Sequence, residues 1–476
     1  MELSHPNGQL GEPLVDQSDP DQLSPENQTQ VKASKNSNPY DNIFKWNESD
    51  PWLGVPVDYG YVYMSLPVGK KCSSTNYGFY WMYPSQKKNA PVLITFIGGP
   101  GMCVVSKAFG RYNPLDIDKQ NHCLIKNKNA ITNRYHLIYV ESPVGSGFSY
   151  CSDKTKVKDY EVVADNAAET LEFIFKKHSN LNLREREFFF NGETFCGLEL
   201  PKIISEVRDQ CKIKVSGVIL ETPVFDPKQF NSYHHQSNFL NELKLWNNNC
   251  QKCTSLSCMC YGLCLKKSGL IKSSTWQSCF FMPWVFSCSK NSWSTKEYTE
   301  DPFSDGQLKE KDKFLYNPLN LLQPTLAEDV RCRVEIEYLI TSKRFAKLVG
   351  AKKKVLGVSD QSSICIMDTS PKFSSNSLVN DLLDSGMSVL LITGEGDYLV
   401  PFEGIQQQVR DNWNIFEKDK FFYKSWILHE DKWQYKRTKN FEWRRVYGSG
   451  NRISVDNPKV HEEIVVGWLD RHRGQD

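Results

Sequence analysis

Apolar residues fall along this chain in short runs, and the segments between several of them carry a helical period. The runs 91–97, 135–140, 188–190, 215–220 and 388–393 are predominantly apolar at successive positions. A strand that reads this way is buried on both faces, as in a parallel sheet. Two earlier runs, 59–64 and 77–83, are aromatic, separated by polar turn residues, and predict antiparallel strands. Residues 159–177 place Val162, Val163, Ala167, Leu171, Ile174 and Phe175 at helical spacing, which predicts a helix before the 188–190 strand. A closing helix is predicted over 460–469. Strand, helix, strand, sharp turn and helix in succession predict an α/β fold around a mostly parallel sheet.

The pattern lapses in two places. Residues 1–48 are rich in Pro, Asn, Gln, Ser and Asp with almost no apolar clusters, which predicts a disordered polar tail. Residues 222–325 lose the alternation and become rich in Asn, Ser, Lys and Cys, with scattered Trp and Phe. They read as a cap subdomain inserted into a core built from 49–221 and 326–476. No internal repeat is present, and 476 residues suffice for one large α/β domain with an insertion, or for two or three ordinary domains.

Composition narrows the classes. Lys plus Arg total 58 and Asp plus Glu 56, and the net charge of +2 exerts no long-range pull on nucleic acid or anionic membrane. No run reaches the roughly 18 apolar residues of a membrane span. Of 15 cysteines, five lie from Cys250 to Cys264. Disulfides in an oxidising compartment explain this best. Zinc and free buried thiols are the rival readings. Cys250 and Cys253 have the spacing of a metal knuckle, but Cys258, Cys260 and Cys264 do not repeat it. Neither a metal nor a cofactor is expected. Met1 to His5 show neither the basic nor the apolar region of a signal peptide. Asn27-Gln28-Thr29 and Asn47-Glu48-Ser49 match glycosylation sequons.

The candidate chemistry begins at 192–197, Gly-Glu-Thr-Phe-Cys-Gly, which follows the run Phe188-Phe189-Phe190 and precedes a helix-compatible segment. That is the setting of a hydrolase nucleophile elbow, where one hydroxyl is presented on a strained turn. Three further blocks stand in order with it: Gly98-Gly99-Pro100-Gly101; Ser142-Pro143-Val144-Gly145-Ser146-Gly147-Phe148-Ser149-Tyr150; and Gly394-Glu395-Gly396-Asp397. Together they resemble the serine carboxypeptidases of the α/β-hydrolase superfamily, from about Tyr59 to Leu469. The resemblance implies an α/β-hydrolase fold, a secretory, vacuolar or lysosomal location, and serine-type hydrolysis of C-terminal peptide bonds.

That reaction needs a serine nucleophile, a histidine base and a buried acid. Carried over by resemblance, the three positions hold Thr194, Asn451 and Asp397. Only the acid keeps its chemistry. Threonine adds a methyl to a strained turn, and an asparagine amide has no protonation step near neutral pH. Loss of either the serine or the histidine in one such triad costs about 10⁶-fold in turnover. The family's carboxylate-binding positions carry Thr95, Ile97 and Arg111 here, and only Glu193 beside the elbow is retained. The implied oxyanion donors, the amides of Gly99 and Phe195, require no particular side chain.

These residues predict a catalytically inactive hydrolase fold that binds or scaffolds a protein or peptide partner. One alternative is a hydrolase or acyltransferase with a rebuilt site, for which His429 and His461 are the candidate bases. Another is residual carboxypeptidase activity. Cys196, two residues past Thr194, reads as a buried small hydrophobe rather than a nucleophile.

Overall fold

The computed structural model describes residues 44–64, 76–98, 102–118, 120–151, 160–226, 338–352, 374–397, 399–415 and 418–473, with isolated positions 320, 322, 336 and 355. Thirteen strands are described: β1 (Asp58–Met64), β2 (Asn76–Tyr83), β3 (Val92–Ile97), β4 (Leu115–Asp118), β5 (Cys123–Lys126), β6 (His136–Val140), β7 (Tyr150–Cys151), β8 (Glu187–Glu193), β9 (Lys214–Glu221), β10 (Ser388–Gly394), β11 (Ile427–His429), β12 (Trp433–Arg437) and β13 (Phe441–Val446). Eleven form one sheet in the order β1-β2-β6-β3-β8-β9-β10-β13-β12-β11, with β7 on β2. The six central strands, from β6 to β13, run parallel. The outer strands on both sides are antiparallel. β4 and β5 form a separate hairpin.

The unbroken apolar runs are the central strands, and the reason is two-sided burial. All six residues of β3 are buried. Val92, Ile94 and Phe96 pack into one hydrophobic cluster, and Leu93 and Ile97 into another. The first cluster is covered by α1 (Tyr160–Lys177), α2 (Cys196–Cys211), α3 (Asn376–Asp384) and α4 (Phe402–Asn412). The second is covered by α5 (Pro458–His472), the short turn Val104–Ala108 and an aromatic group around Phe345. In that group Trp52 and Trp81 lie 5.1 Å apart, and Trp81 stacks on Phe345 at 6.0 Å.

The hairpin β4–β5, β7, the strands β11 to β13 and helices α3 and α4 stand outside the sequence reading. β12 and β13 were not anticipated because their buried positions carry charge. Glu442 Oε1 accepts from Arg444 at 2.5 Å and Glu442 Oε2 from Arg471 at 3.1 Å, so polar residues sit inside a strand with their partners beside them. Thr222, Val224 and Phe225, at the head of the stretch read as a cap, are buried with the core. Residues 227–319, including the Cys250–Cys264 cluster, lie outside the described residues, as do 1–43 of the stretch 1–48 read as a disordered tail. The last part of that stretch departs from the reading, because Phe44 is buried and Lys45 N donates to His122 O at 2.7 Å. Among the described residues no helix is long and apolar enough to cross a membrane.

Candidate active site

Four neighbouring strands deliver the site from their carboxyl ends. β8 ends at the turn carrying Thr194, β9 runs into Thr222, β10 leads to Asp397 and β13 to Asn451. Because these strands are adjacent and parallel, residues far apart in sequence meet on one rim, where open α/β sheets bind ligands.

Thr194 occupies the tightest point. Its φ is +51°, a left-handed conformation that a β-branched residue adopts only under strain. The turn is held by Thr194 N donating to Glu221 O at 2.8 Å, and by Val224 N and Gly197 N donating to Thr194 O at 2.9 and 3.0 Å. Gly98 lies directly against it. A Cβ added there would fall 2.2 Å from Glu193 O and 2.3 Å from Phe195 N, so only glycine fits beside the turn. The Phe195 amide therefore stands at the head of α2, next to the bare end of β3. Gly99, the other implied oxyanion donor, lies outside the described residues.

The three side chains assigned by resemblance are brought together. Thr194 Oγ1 donates to Asn451 Oδ1 at 3.3 Å, and Asn451 Nδ2 donates to Asp397 Oδ2 at 2.9 Å. Asp397 Oδ1 also accepts from Val400 N at 2.9 Å. Sequence reasoning missed Thr222, which completes the group. Its hydroxyl donates to Asn451 O at 3.1 Å, accepts from Asn451 Nδ2 at 3.4 Å, and lies 3.5 Å from Thr194 Oγ1. The available signal was its position one residue past a buried strand that neighbours the elbow strand. The Asn451 loop is pinned by Gly396 N donating to Ser449 O and Gly450 N donating to Asp456 Oδ2, both at 2.7 Å.

Electrostatics set Asp397 apart. It is 1% exposed, and burial pushes its carboxyl up to about 8, against the opposing hydrogen bonds from Val400 and Asn451. An imidazolium would balance the carboxylate charge; the Asn451 amide carries none. Cys196 is fully buried beneath the elbow, and burial, with Glu199 nearby, pushes its thiol up, away from the nucleophilic thiolate form.

The neighbouring charges are paired. Glu193 forms an ion pair with Lys107, which the sequence reading did not single out, and Lys107 Nζ also donates to Ser454 Oγ at 2.8 Å. Arg111 is directed elsewhere: its Nε donates to Glu462 Oε2 on α5 at 2.8 Å. Thr95 and Ile97 are buried within β3, beside Asn191 and Glu193 of β8. His461 Nε2 lies 2.9 Å from Glu221 Oε2, and Tyr112 stacks on its ring at 6.1 Å. Burial works to raise the Glu221 carboxyl, but the adjacent His461 outweighs it and holds Glu221 below the usual range. His429 sits on the edge strand β11, stacked on Trp433 at 4.1 Å and 3.4 Å from Glu463. Five steps along the sheet from the elbow strand, it is not placed to act as a base for Thr194.

Comparison with known proteins yields one consistent family. The sequence profile described as serine carboxypeptidase matches residues 51–471. The chain is 22% identical over 419 residues to the vacuolar serine-type carboxypeptidase ATG42 of Saccharomyces cerevisiae, covering 83% of this chain and 77% of that one. It is 31% identical over 173 residues to serine carboxypeptidase-like 49 of Arabidopsis thaliana, and 29% over 150 residues to the lysosomal protective protein of Mus musculus. Those two alignments cover 35% and 31% of this chain and only 32% and 31% of the relatives. Among solved structures, the Saccharomyces cerevisiae prohormone-processing carboxypeptidase Kex1 matches with a TM-score of 0.64 and 17% identity, over 88% of this chain and 92% of that one. The fold is that of the α/β-hydrolases.

Proposed function

We propose, from the premise that this chain belongs to the serine carboxypeptidase family, that it is a member without peptidase activity and acts by binding a protein or peptide partner. One observation carries the reading. The hydrogen-bonded sequence from Thr194 through Asn451 to Asp397 has the connectivity of a triad, with an amide at the place of the base. An amide can accept from the hydroxyl and donate to the carboxyl, but it cannot take up the proton that nucleophilic attack releases. His461, the nearest histidine considered as a substitute, is engaged by Glu221. The carboxylate-binding positions support the same reading, because Glu193 is held by Lys107 and Arg111 by Glu462.

The proposal extends to the rest of the chain. The stretch beyond Phe225 that the sequence reads as an inserted cap is held by disulfides within the 250–264 cluster. The protein follows the secretory route to a vacuole or lysosome, the location in the names of two relatives. The test is to expose the purified full chain to a fluorophosphonate serine-hydrolase probe and to peptides with free C-termini. No labelling and no trimming are expected; trimming that an active-site inhibitor blocks overturns the proposal.

A further inference from the structure

We propose that Asn47 is an attachment site for an N-linked glycan, an inference that rests on the secretory route proposed above. The sequon Asn47-Glu48-Ser49 is a short sequence match, and such matches carry little weight alone. Here the fold adds three observations. The first is presentation: Asn47, Glu48 and Ser49 are all exposed. The segment stands between two anchored feet. Phe44 and Trp52 are buried on either side, and Lys45 N donates to His122 O at 2.7 Å. Trp46 extends the anchorage, with its ring 5.1 Å from Phe44 and 6.4 Å from Trp52. The sequon is therefore a rigid outward turn.

The second observation is the conformation of the acceptor. Asn47 Oδ1 accepts from Ser49 N at 3.2 Å, Ser49 Oγ at 2.9 Å and Asp50 N at 3.2 Å. The asparagine and the hydroxyl that define the sequon already face each other in an Asx turn. The third is what the turn leaves over. All three bonds use Oδ1, and among the described residues Nδ2 makes no hydrogen bond. Replacing one Nδ2 hydrogen by a sugar thus breaks no interaction of the fold. A glycan is bulky and hydrophilic and requires such an outward position.

The step is a substitution without redox change. Asn47 Nδ2 forms a bond to C1 of the first sugar of a lipid pyrophosphate-linked oligosaccharide. The bond from C1 to the phosphate oxygen breaks, the lipid pyrophosphate leaves with the electron pair, and the amide gives up one proton. A host oligosaccharyl transferase supplies the catalysis.

The experiment uses the full chain in two arms. In the first, the chain is translated into microsomes behind a cleavable signal, with protease protection reporting entry. It is then treated with a peptide N-glycosidase in heavy-oxygen water and mapped by mass spectrometry. Conversion of Asn47 to labelled aspartate in most protected chains is expected. The conversion should vanish in Asn47→Gln and Ser49→Ala, and Ser49→Thr should keep it. Protected chains bare at Asn47 overturn the inference, whatever occurs at Asn27. In the second arm the unmodified chain is expressed in eukaryotic cells and fractionated. A chain found only outside the secretory compartments refutes the route, and a luminal chain bare at Asn47 refutes the glycan alone. Thermal melting of each variant before glycosylation separates loss of the acceptor from loss of the fold.

Discussion

Replacing Asp397 by asparagine should stabilise the protein at neutral pH, and the gain should depend on pH in a defined way. The ordinary value of this carboxyl is 3.8, and burial raises it to about 8 in the folded chain. A folded value above the unfolded one makes the folded state hold a proton that the unfolded state has released. The group's contribution is therefore fully favourable below pH 4 and is lost progressively as the pH rises toward 8. The loss amounts to about 1.4 kcal/mol per pH unit, or on the order of 4 kcal/mol at pH 7. The Asp397→Asn variant would carry no such dependence. Its new amide carbonyl can still accept from Val400 N, and a flip of the Asn451 amide would turn an acceptor toward the new NH₂ and a donor toward the Thr194 hydroxyl. Denaturant unfolding of both proteins from pH 4 to pH 8 isolates the effect, since every other titrating group is common to the pair. The difference in unfolding free energy should grow with pH in favour of the variant. Parallel profiles would show that Asp397 stays ionised throughout and that something other than Asn451 compensates its charge.

Lys107→Met should destabilise the fold by about 2–4 kcal/mol, because it leaves Glu193 largely buried without its cation; adding Glu193→Gln should recover most of that, as read by denaturant midpoint. Thr194→Gly should gain about 1 kcal/mol, the relief of a left-handed β-branched residue set against the added flexibility of glycine. A loss of stability there would mean that the Thr194 hydroxyl bonds outweigh the strain. The pair Thr194→Ser with Asn451→His should produce slow hydrolysis of small activated esters, measured by release of a chromophoric alcohol, and no trimming of peptide C-termini. Trimming by that variant alone would show that the pocket retains carboxylate recognition despite Thr95, Ile97 and Arg111.

What the sequence disclosed follows from how each residue meets the rest of the chain. The central strands were legible because burial on both faces leaves an uninterrupted apolar run, as in β3 and β8. The elbow was legible because its glycines answer to close contact, which at Gly197 would put a Cβ 2.5 Å from Val224 O. β12 and β13 were hidden, since Lys436, Glu442 and Arg444 make their segments look exposed. Only the fold supplies the partners, among them Phe422 O, which accepts from Lys436 Nζ at 3.1 Å. Lys107 was hidden for a related reason. It stands on the short turn Val104–Ala108, and no motif marks a cation whose partner lies 86 positions away in sequence.

The charges around the elbow support a division between what the site has kept and what it has lost. Three buried carboxylates crowd the carboxyl ends of β8, β9 and β10. Glu193 has Lys107 and Glu221 has His461, each within ion-pair distance. Among the described residues Asp397 has only neutral donors. In a working triad the acid is the carboxylate whose charge acquires a cation during catalysis; with an amide at the place of the base, no such cation forms beside Asp397. A buried carboxyl in that condition is held more easily as the neutral acid, and the Asn451 amide accommodates either form with the same two atoms. If binding has replaced catalysis here, the rim stays ordered through hydrogen bonds that need no proton transfer. The group at the rim should then behave alike on either side of neutrality, except for the single proton on Asp397.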